Sequence, residues 1–238
     1  MLRLATCKDL IDLLGHYNKT KYINDNDFAW GLKQLGTLFC IQQIEKTKPR
    51  NVLEAGAGLN LFFDTHFGQL FEYWISDSSG FYPEEAFKEA MSLRRNTRYV
   101  DGLLGDFSSE LPENYFDLVF SISVLEHTPF NKLSSVFKDI HRVLRPGGKS
   151  VHTIDVNPYS PAANFSELLM MIEGAGFAFD QEPLKFLWDI HSAQEPVLLE
   201  PLRIVYEYYY RKNINEYPVS PYPGRYYFGS IMVSVIKK

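Results

Sequence analysis

Cysteine is scarce in this chain: two residues among 238, Cys7 and Cys40. That number and spacing exclude a disulfide framework and a thiolate zinc site, so two reduced thiols are expected. Long apolar runs are missing as well, and nothing approaches the roughly 18 consecutive apolar residues that a membrane-crossing helix needs. The opening run Met1-Leu-Arg-Leu-Ala-Thr-Cys-Lys-Asp9 lacks the uninterrupted apolar core of a secretory leader. No long basic stretch occurs, and 24 Lys and Arg against 29 Asp and Glu leave a formal net charge of −5. Because neutralising a phosphate backbone takes clustered cations, nucleic acid is not an expected partner. A cytoplasmic protein with no membrane span is the expectation.

A hydrophobic content of 45% over 238 residues is enough for one large α/β domain with a substantial core. The most informative segment is Asn51-Val-Leu-Glu-Ala-Gly-Ala-Gly-Leu-Asn60, an apolar strand that runs into an acid and two closely spaced glycines. Glycine turns without a Cβ clash and lets a nucleotide-like ligand approach the main chain. Leu61-Phe62-Phe63 can then open a helix whose first amides face that ligand. The turn alone also suits a plain tight connection, so the residues after it decide. Phe71-Glu-Tyr-Trp-Ile-Ser76 reads as a second buried strand that delivers Asp77, nineteen residues beyond Gly58. A carboxylate at that separation can accept hydrogen bonds from both ribose hydroxyls. A third run, Arg98 to Leu104, leads to Gly105-Asp106-Phe107, where an acid can take an adenine amino group and Phe107 can pack on the ring. Three strand ends thus converge on one nucleoside.

A dinucleotide fingerprint needs a third glycine where this chain has Leu61, which argues against a nicotinamide or flavin site. The segment instead resembles the first motif of the class I S-adenosylmethionine-dependent methyltransferases, with Glu54, Gly56 and Gly58 at the matching positions. Asn60 stands where that family usually has a further glycine, a tolerable exchange if the position is left-handed. Phe116-Asp-Leu-Val-Phe-Ser-Ile-Ser-Val-Leu-Glu-His127 looks like the family's fourth strand and its following loop, and Ile140-His-Arg-Val-Leu-Arg-Pro-Gly-Gly148 like the helix exit before the fifth. The periodicity agrees independently. Leu133, Val136, Phe137, Ile140, Val143 and Leu144 recur at helical spacing, Pro146-Gly147-Gly148 is expected to stop the helix, and Ser150 to Asp155 resumes as a strand.

The resemblance covers about residues 50–156. It implies a Rossmann-like, doubly wound, mostly parallel seven-stranded sheet with an antiparallel last strand, and S-adenosyl-L-methionine as cofactor. In that site Glu54, Gly56 and Gly58 would hold the methionine end, with Ala57 and Asn60 in the same turn. Asp77 with Ser78 would take the ribose, Asp106 and Phe107 the adenine, and Ser121 would lie beside the cofactor. The implied reaction is methyl transfer to a small-molecule acceptor: a sugar, a lipid-linked glycan or a secondary metabolite. His127, in the loop after the fourth strand, and His152, within the fifth, are the candidate bases, because imidazole titrates near working pH. For both, a structural role is the competing reading. Asp155 and Asn157 carry oxygen ligands near a strand end, but nothing supplies a third, so no metal site is expected.

One domain over residues 1–238 is expected, with a helical cap over 1–49, the cofactor core over 50–156, and completion of the sheet over 157–238. The cap shows an apolar stripe of Phe28, Leu32, Leu35 and Phe39 after the capping candidates Asn24, Asp25 and Asn26, and Lys48-Pro49 ends it. Tyr17, Tyr22 and Trp30 can close over a ligand or simply pack. Phe165, Leu168, Leu169 and Ile172 give a last helix face stopped by Gly174-Ala-Gly176, and Gly229 to Ile236 a closing strand. Between them, residues 181–228 carry six of the prolines and eight of the chain's fifteen tyrosines. This insertion, with a helix expected over Leu198 to Lys212, suits either an acceptor wall or a protein contact such as a homodimer interface. A catalytically silent methyltransferase-like scaffold is the rival function, which Asn60 and the insertion would favour.

Overall fold

The apolar runs become strands of one sheet: β1 (Leu2–Leu4), β2 (Asn51–Ala55), β3 (Glu72–Asp77), β4 (Thr97–Asp101), β5 (Phe116–Ile122), β6 (Leu144–Val156), β7 (Phe177–Phe179) and β8 (Gly229–Lys237). The computed structural model describes residues 2–5, 7–17, 32–156, 165–179 and 229–238. Strand order is β1-β8-β6-β5-β2-β3-β4, with β7 also on β8. Neighbours from β4 through β6 pair in parallel, and β8 runs antiparallel to β6. This is the expected mostly parallel α/β sheet with an antiparallel last strand.

Its helices are α1 (Cys7–Tyr17), α2 (Leu32–Thr47), α3 (Phe62–Phe67), α4 (Glu84–Leu93), α5 (Phe130–Val143) and α6 (Phe165–Gly174). Successive strand side chains point to opposite faces, and two buried layers follow from that alternation. Val119 and Ile154 pack with Phe137 and Ile140 of α5 and Leu168 and Ile172 of α6. Leu118, Phe120 and Val151 pack on the other face with Leu14 of α1, Leu38 and Phe39 of α2, and Phe63 of α3.

Two expectations change, and one open alternative closes. The N-terminal segment is not wholly helical, because Leu2–Leu4 pairs antiparallel with β8, Leu2 opposite Val233. α5 ends at Val143, before the proline; Leu144 turns extended at φ −69° and ψ 140°. Pro146-Gly147-Gly148 therefore lies inside β6, at the irregularity where its register with β5 shifts, and Gly147 has φ 74°. Tyr17 is a core residue, 1% exposed, whose hydroxyl donates to Glu45 Oε2 at 2.6 Å. Asn24, Asp25, Asn26, Phe28, Tyr22, Trp30, Asn157 and the insertion at 181–228 lie outside the described residues. Among the described residues no helix is long and apolar enough to cross a membrane.

Candidate functional site

The turn after β2 is built as its glycines require. Gly56 has φ 71° and Gly58 φ 63°, left-handed angles at which a Cβ is strained. Gly56 is also sterically closed: a Cβ there would fall 2.7 Å from Val124 Cγ2. The loop after β5 thus packs directly on the turn, which brings two strand ends together. Gly56 N–H donates to Ser76 O at 2.9 Å and ties the turn to β3.

Asp77 sits at the C-terminal end of β3 and is 3% exposed. Its Oδ2 accepts from Gly58 N–H at 2.8 Å and from the Tyr82 hydroxyl at 3.0 Å, while Oδ1 accepts from Ser78 N–H at 2.8 Å. Asp77 and Ser78 lie beside the turn, and Asp77 holds it in place. Burial, then the Asp77 charge, pushes the Tyr82 hydroxyl up to about 12, so Tyr82 stays a donor.

Glu54, one residue before the end of β2, is buried and accepts from the Tyr73 hydroxyl in a short hydrogen bond. Burial raises its carboxyl to about 7, with Tyr73 and Arg94 opposing the shift. Arg94, at the end of α4, donates to Gly58 O at 3.1 Å and Asn60 O at 2.9 Å. Glu54 and Arg94 therefore hold the turn from beneath, the acid through the sheet and the guanidinium through carbonyls. Ala57 is buried between the two glycines.

Asn60 departs from its expected role. It is not among the positive-φ residues; its Oδ1 accepts from Phe62 N–H at 2.7 Å. Asparagine stands there with its side chain on the first amide of α3, a bond glycine could not supply, so the exchange needs no left-handed backbone.

Beyond β4, Asp106 is exposed and Phe107 is 46% exposed at φ 54°. That conformation is rare for a residue with a Cβ, and it is held from α5. Fully buried Asp139 accepts from Gly105 N–H at 2.8 Å, Phe107 N–H at 3.1 Å and Arg142 Nε at 2.8 Å. Arg142 also donates to Ser108 O and Leu111 O. Neither Asp139 nor Arg142 was named from the sequence, although an acid at the border of the α5 apolar stripe was a visible signal.

The two histidines part company. His152 is 0% exposed, and both ring nitrogens are engaged, Nδ1 with Ser121 Oγ at 2.8 Å and Nε2 with Ser150 Oγ at 2.5 Å. Burial lowers its pKa to about 3, so it is a neutral core imidazole that the structure does not bring to the cleft. Ser121 shares this fate; its hydroxyl faces His152. His127 lies in a single 3-10 turn, Leu125–His127, with its side chain 80% exposed and Nε2 3.9 Å from Glu126 Oε1. Glu126 was passed over in the sequence because its burial cannot be read from its neighbours.

Residues 55–152 match the family model described as methyltransferase domain. Among solved structures, a Haemonchus contortus phosphoethanolamine N-methyltransferase 2, in complex with S-adenosyl-L-methionine, is 17% identical with a TM-score of 0.56, covering 96% of this chain and 60% of that one. A Burkholderia thailandensis 1,6-didemethyltoxoflavin-N1-methyltransferase is 16% identical with a TM-score of 0.53, covering 99% of this chain and 92% of its own. The [4+2]-cyclase SpnF is 14% identical with a TM-score of 0.50, covering 99% and 98%; likeness at this level shows the fold alone. No curated protein matches the chain. Residues 55–152 thus match a methyltransferase domain, and the chain shares the fold of its methyltransferase neighbours.

Proposed function

We propose that this chain transfers the methyl group of S-adenosyl-L-methionine to a small-molecule acceptor. One observation carries the reading: within the match to a methyltransferase domain, a turn of two positive-φ glycines meets a buried carboxylate, Asp77, at the end of the neighbouring strand. These residues fit the cofactor chemically. A turn without Cβ atoms at Gly56 and Gly58 lets the methionine end approach the main chain, and the Asp77 carboxylate suits paired ribose hydroxyls.

In this reading Glu54, Gly56, Ala57 and Gly58 form the methionine side, with Asn60 bonded to the first amide of the helix that follows. Asp77 receives the ribose, its Tyr82 contact yielding to a sugar hydroxyl, and Ser78 N–H keeps the carboxylate oriented. Asp106 and Phe107, exposed beside the strand ends, take the adenine amino group and ring face. Bound there, S-adenosyl-L-methionine supplies an electrophilic methyl on a good leaving group. The chain's own task is then alignment, water exclusion and removal of an acceptor proton. A net charge of −5 speaks against nucleic acid as acceptor, and the two methyltransferase neighbours are named for phosphoethanolamine and a didemethyltoxoflavin, both small molecules. We read the enzyme as cytoplasmic, in keeping with a buried free Cys40.

Calorimetry with S-adenosylmethionine, S-adenosylhomocysteine and NAD, followed by a methyl-transfer screen over acceptor classes, tests this. Binding of both sulfur ligands is expected; binding of NAD alone would overturn the assignment. His127, at the exposed rim, is the proposed outlet for the acceptor proton. His127→Gln should slow transfer by about two orders of magnitude, the lower end of general-base contributions of roughly 10²- to 10⁴-fold, and leave cofactor affinity intact. An unchanged rate and pH profile would remove His127 from the proton path.

A further inference from the structure

Beside the glycine turn lies a group of buried polar atoms to which the scheme above gives no task. Both carboxyl oxygens of Glu126, Oδ1 of Asp155, and the hydroxyls of Thr153 and Ser230 are buried without a side-chain hydrogen-bond partner among the described residues. The sheet puts them together. Val151, Thr153 and Asp155 alternate on the α2 face of β6, and the antiparallel register sets Ser230 directly opposite Asp155. Ser123 N–H donates to Thr153 O at 3.0 Å, which draws the loop after β5 over the same spot. That loop carries Glu126 and, through Val124, touches Gly56. The cluster therefore borders the turn assigned to the methionine end.

Leaving such groups unpaired is expensive. A buried polar atom without a partner costs about 1–3 kcal/mol and a carboxylate more, and Ser123 adds backbone strain at φ 53°. Ser230 is 2% exposed, Thr153 1%, and the Glu126 side chain 9%, so solvent does not satisfy them. Native proteins keep strained, unsatisfied groups of this kind where a ligand completes them.

We propose that Glu126 and Asp155, with the Ser123 and Ser230 hydroxyls, form the acceptor subsite, and that its acceptor is an amine bound as the ammonium ion; this rests on the methyltransferase reading above. An ammonium ion offers several N–H donors and one positive charge, which matches two carboxyls flanked by hydroxyls. A neutral alcohol would leave both acids uncompensated. Burial first, then the Asp155 charge, pushes the Glu126 carboxyl up to about 8, and burial raises that of Asp155. Backbone N–H groups of Glu126 and Asp155, then the Lys33 charge, oppose the Glu126 shift; the Ser123 hydroxyl, then the Lys33 and His127 charges, oppose that of Asp155. The pair holds a proton until a cation replaces it.

Ammonium nitrogen has no lone pair, so it first gives one proton to Glu126. The freed pair then forms the N–C bond as the methyl C–S bond breaks, and that bond's electrons stay on sulfur as a neutral thioether. The product leaves as the methylammonium ion, and the Glu126 proton passes by way of His127, 3.9 Å away, to water. One proton is released per methyl transferred.

The test uses the full chain with S-adenosylmethionine against a panel of primary and secondary amines and the alcohols of the same carbon skeletons. In parallel, calorimetry measures binding of the same compounds to the chain saturated with S-adenosylhomocysteine. At least one amine is expected to bind and be methylated while its matched alcohol does neither. Glu126→Gln should lower kcat/KM for that amine at least a hundredfold and weaken its binding, with S-adenosylhomocysteine affinity within twofold of the parent. Asp155→Asn should weaken amine binding in the same way, which guards against a folding defect in one variant. Loss of S-adenosylhomocysteine binding by the parent chain would sink the methyltransferase reading itself. If the cofactor product binds but no amine binds, or alcohols are preferred, or Glu126→Gln keeps amine turnover, only the amine subsite fails.

Discussion

Asp77→Ala is expected to lose S-adenosylhomocysteine affinity by a factor on the order of 10² to 10³, which corresponds to about 3–4 kcal/mol. That is the range for removing two hydrogen bonds to a charged acceptor, each worth about 1.5–3 kcal/mol. Stability should fall as well, because the carboxylate accepts from Gly58 N–H, Ser78 N–H and the Tyr82 hydroxyl. Removing it strands the buried donors at a cost of about 2–3 kcal/mol. Asp77 thus acts on ligand and turn together. Measurement of the melting midpoint beside the binding constant separates the two. A variant that melts early yet binds within fivefold of the parent would make Asp77 a turn former and nothing more.

Gly56→Ala is the second large effect. The methyl group would enter at φ 71°, and its position lies 2.7 Å from Val124 Cγ2 and 2.8 Å from Val124 Cγ1. Left-handed strain costs about 1–2 kcal/mol, and overpacking a close contact adds about 1–3 kcal/mol. The cheapest relief is to move Val124, which shifts the loop bearing Ser123 and Glu126 away from the turn. Methyl transfer should therefore fall at least tenfold more than S-adenosylhomocysteine affinity does. Adding Val124→Ala should return part of the lost stability but none of the φ strain. Equal losses in binding and turnover, with no rescue by the second substitution, would show that the two loops are not coupled.

What the sequence exposed and what it hid divide along physical lines. Patterns that repeat locally were readable: the alternation in Leu118, Val119 and Phe120, the helical spacing from Leu133 to Val143, and the acid at Asp77 after a buried run. The glycine turn was readable because only backbone freedom explains two such residues so close. The N-terminal strand was not, since Leu2–Leu4 becomes a strand only by finding Val233 and its neighbours at the far end of the chain. Asn60 was misjudged for a related reason. Its side-chain bond to Phe62 N–H and a left-handed backbone are both open to asparagine, and only the fold chooses.

Charge placement was the hardest to foresee. The sequence sets His127 in a loop and His152 within a strand without fixing which way His152 points; the pleat turns it into the core between two serines and leaves His127 in solvent. Nothing in the residues around Glu126 marks it as buried. Tertiary burial, with Asp155 brought up by the β5 and β6 pairing, makes it a proton-holding group.

The pairing of Leu2–Leu4 with β8 has a consequence for the order of events at the ribosome. Leu2–Leu4 is hydrogen-bonded to a strand that begins at Gly229, so it lacks this partner until the long stretch between them has been made. At roughly 5–20 residues per second, synthesis leaves this edge waiting on the order of ten to fifty seconds. A cut that frees the start from the rest should therefore loosen the β8 edge first, while a permuted chain that joins the two ends and opens elsewhere would let the same strands meet as a local hairpin.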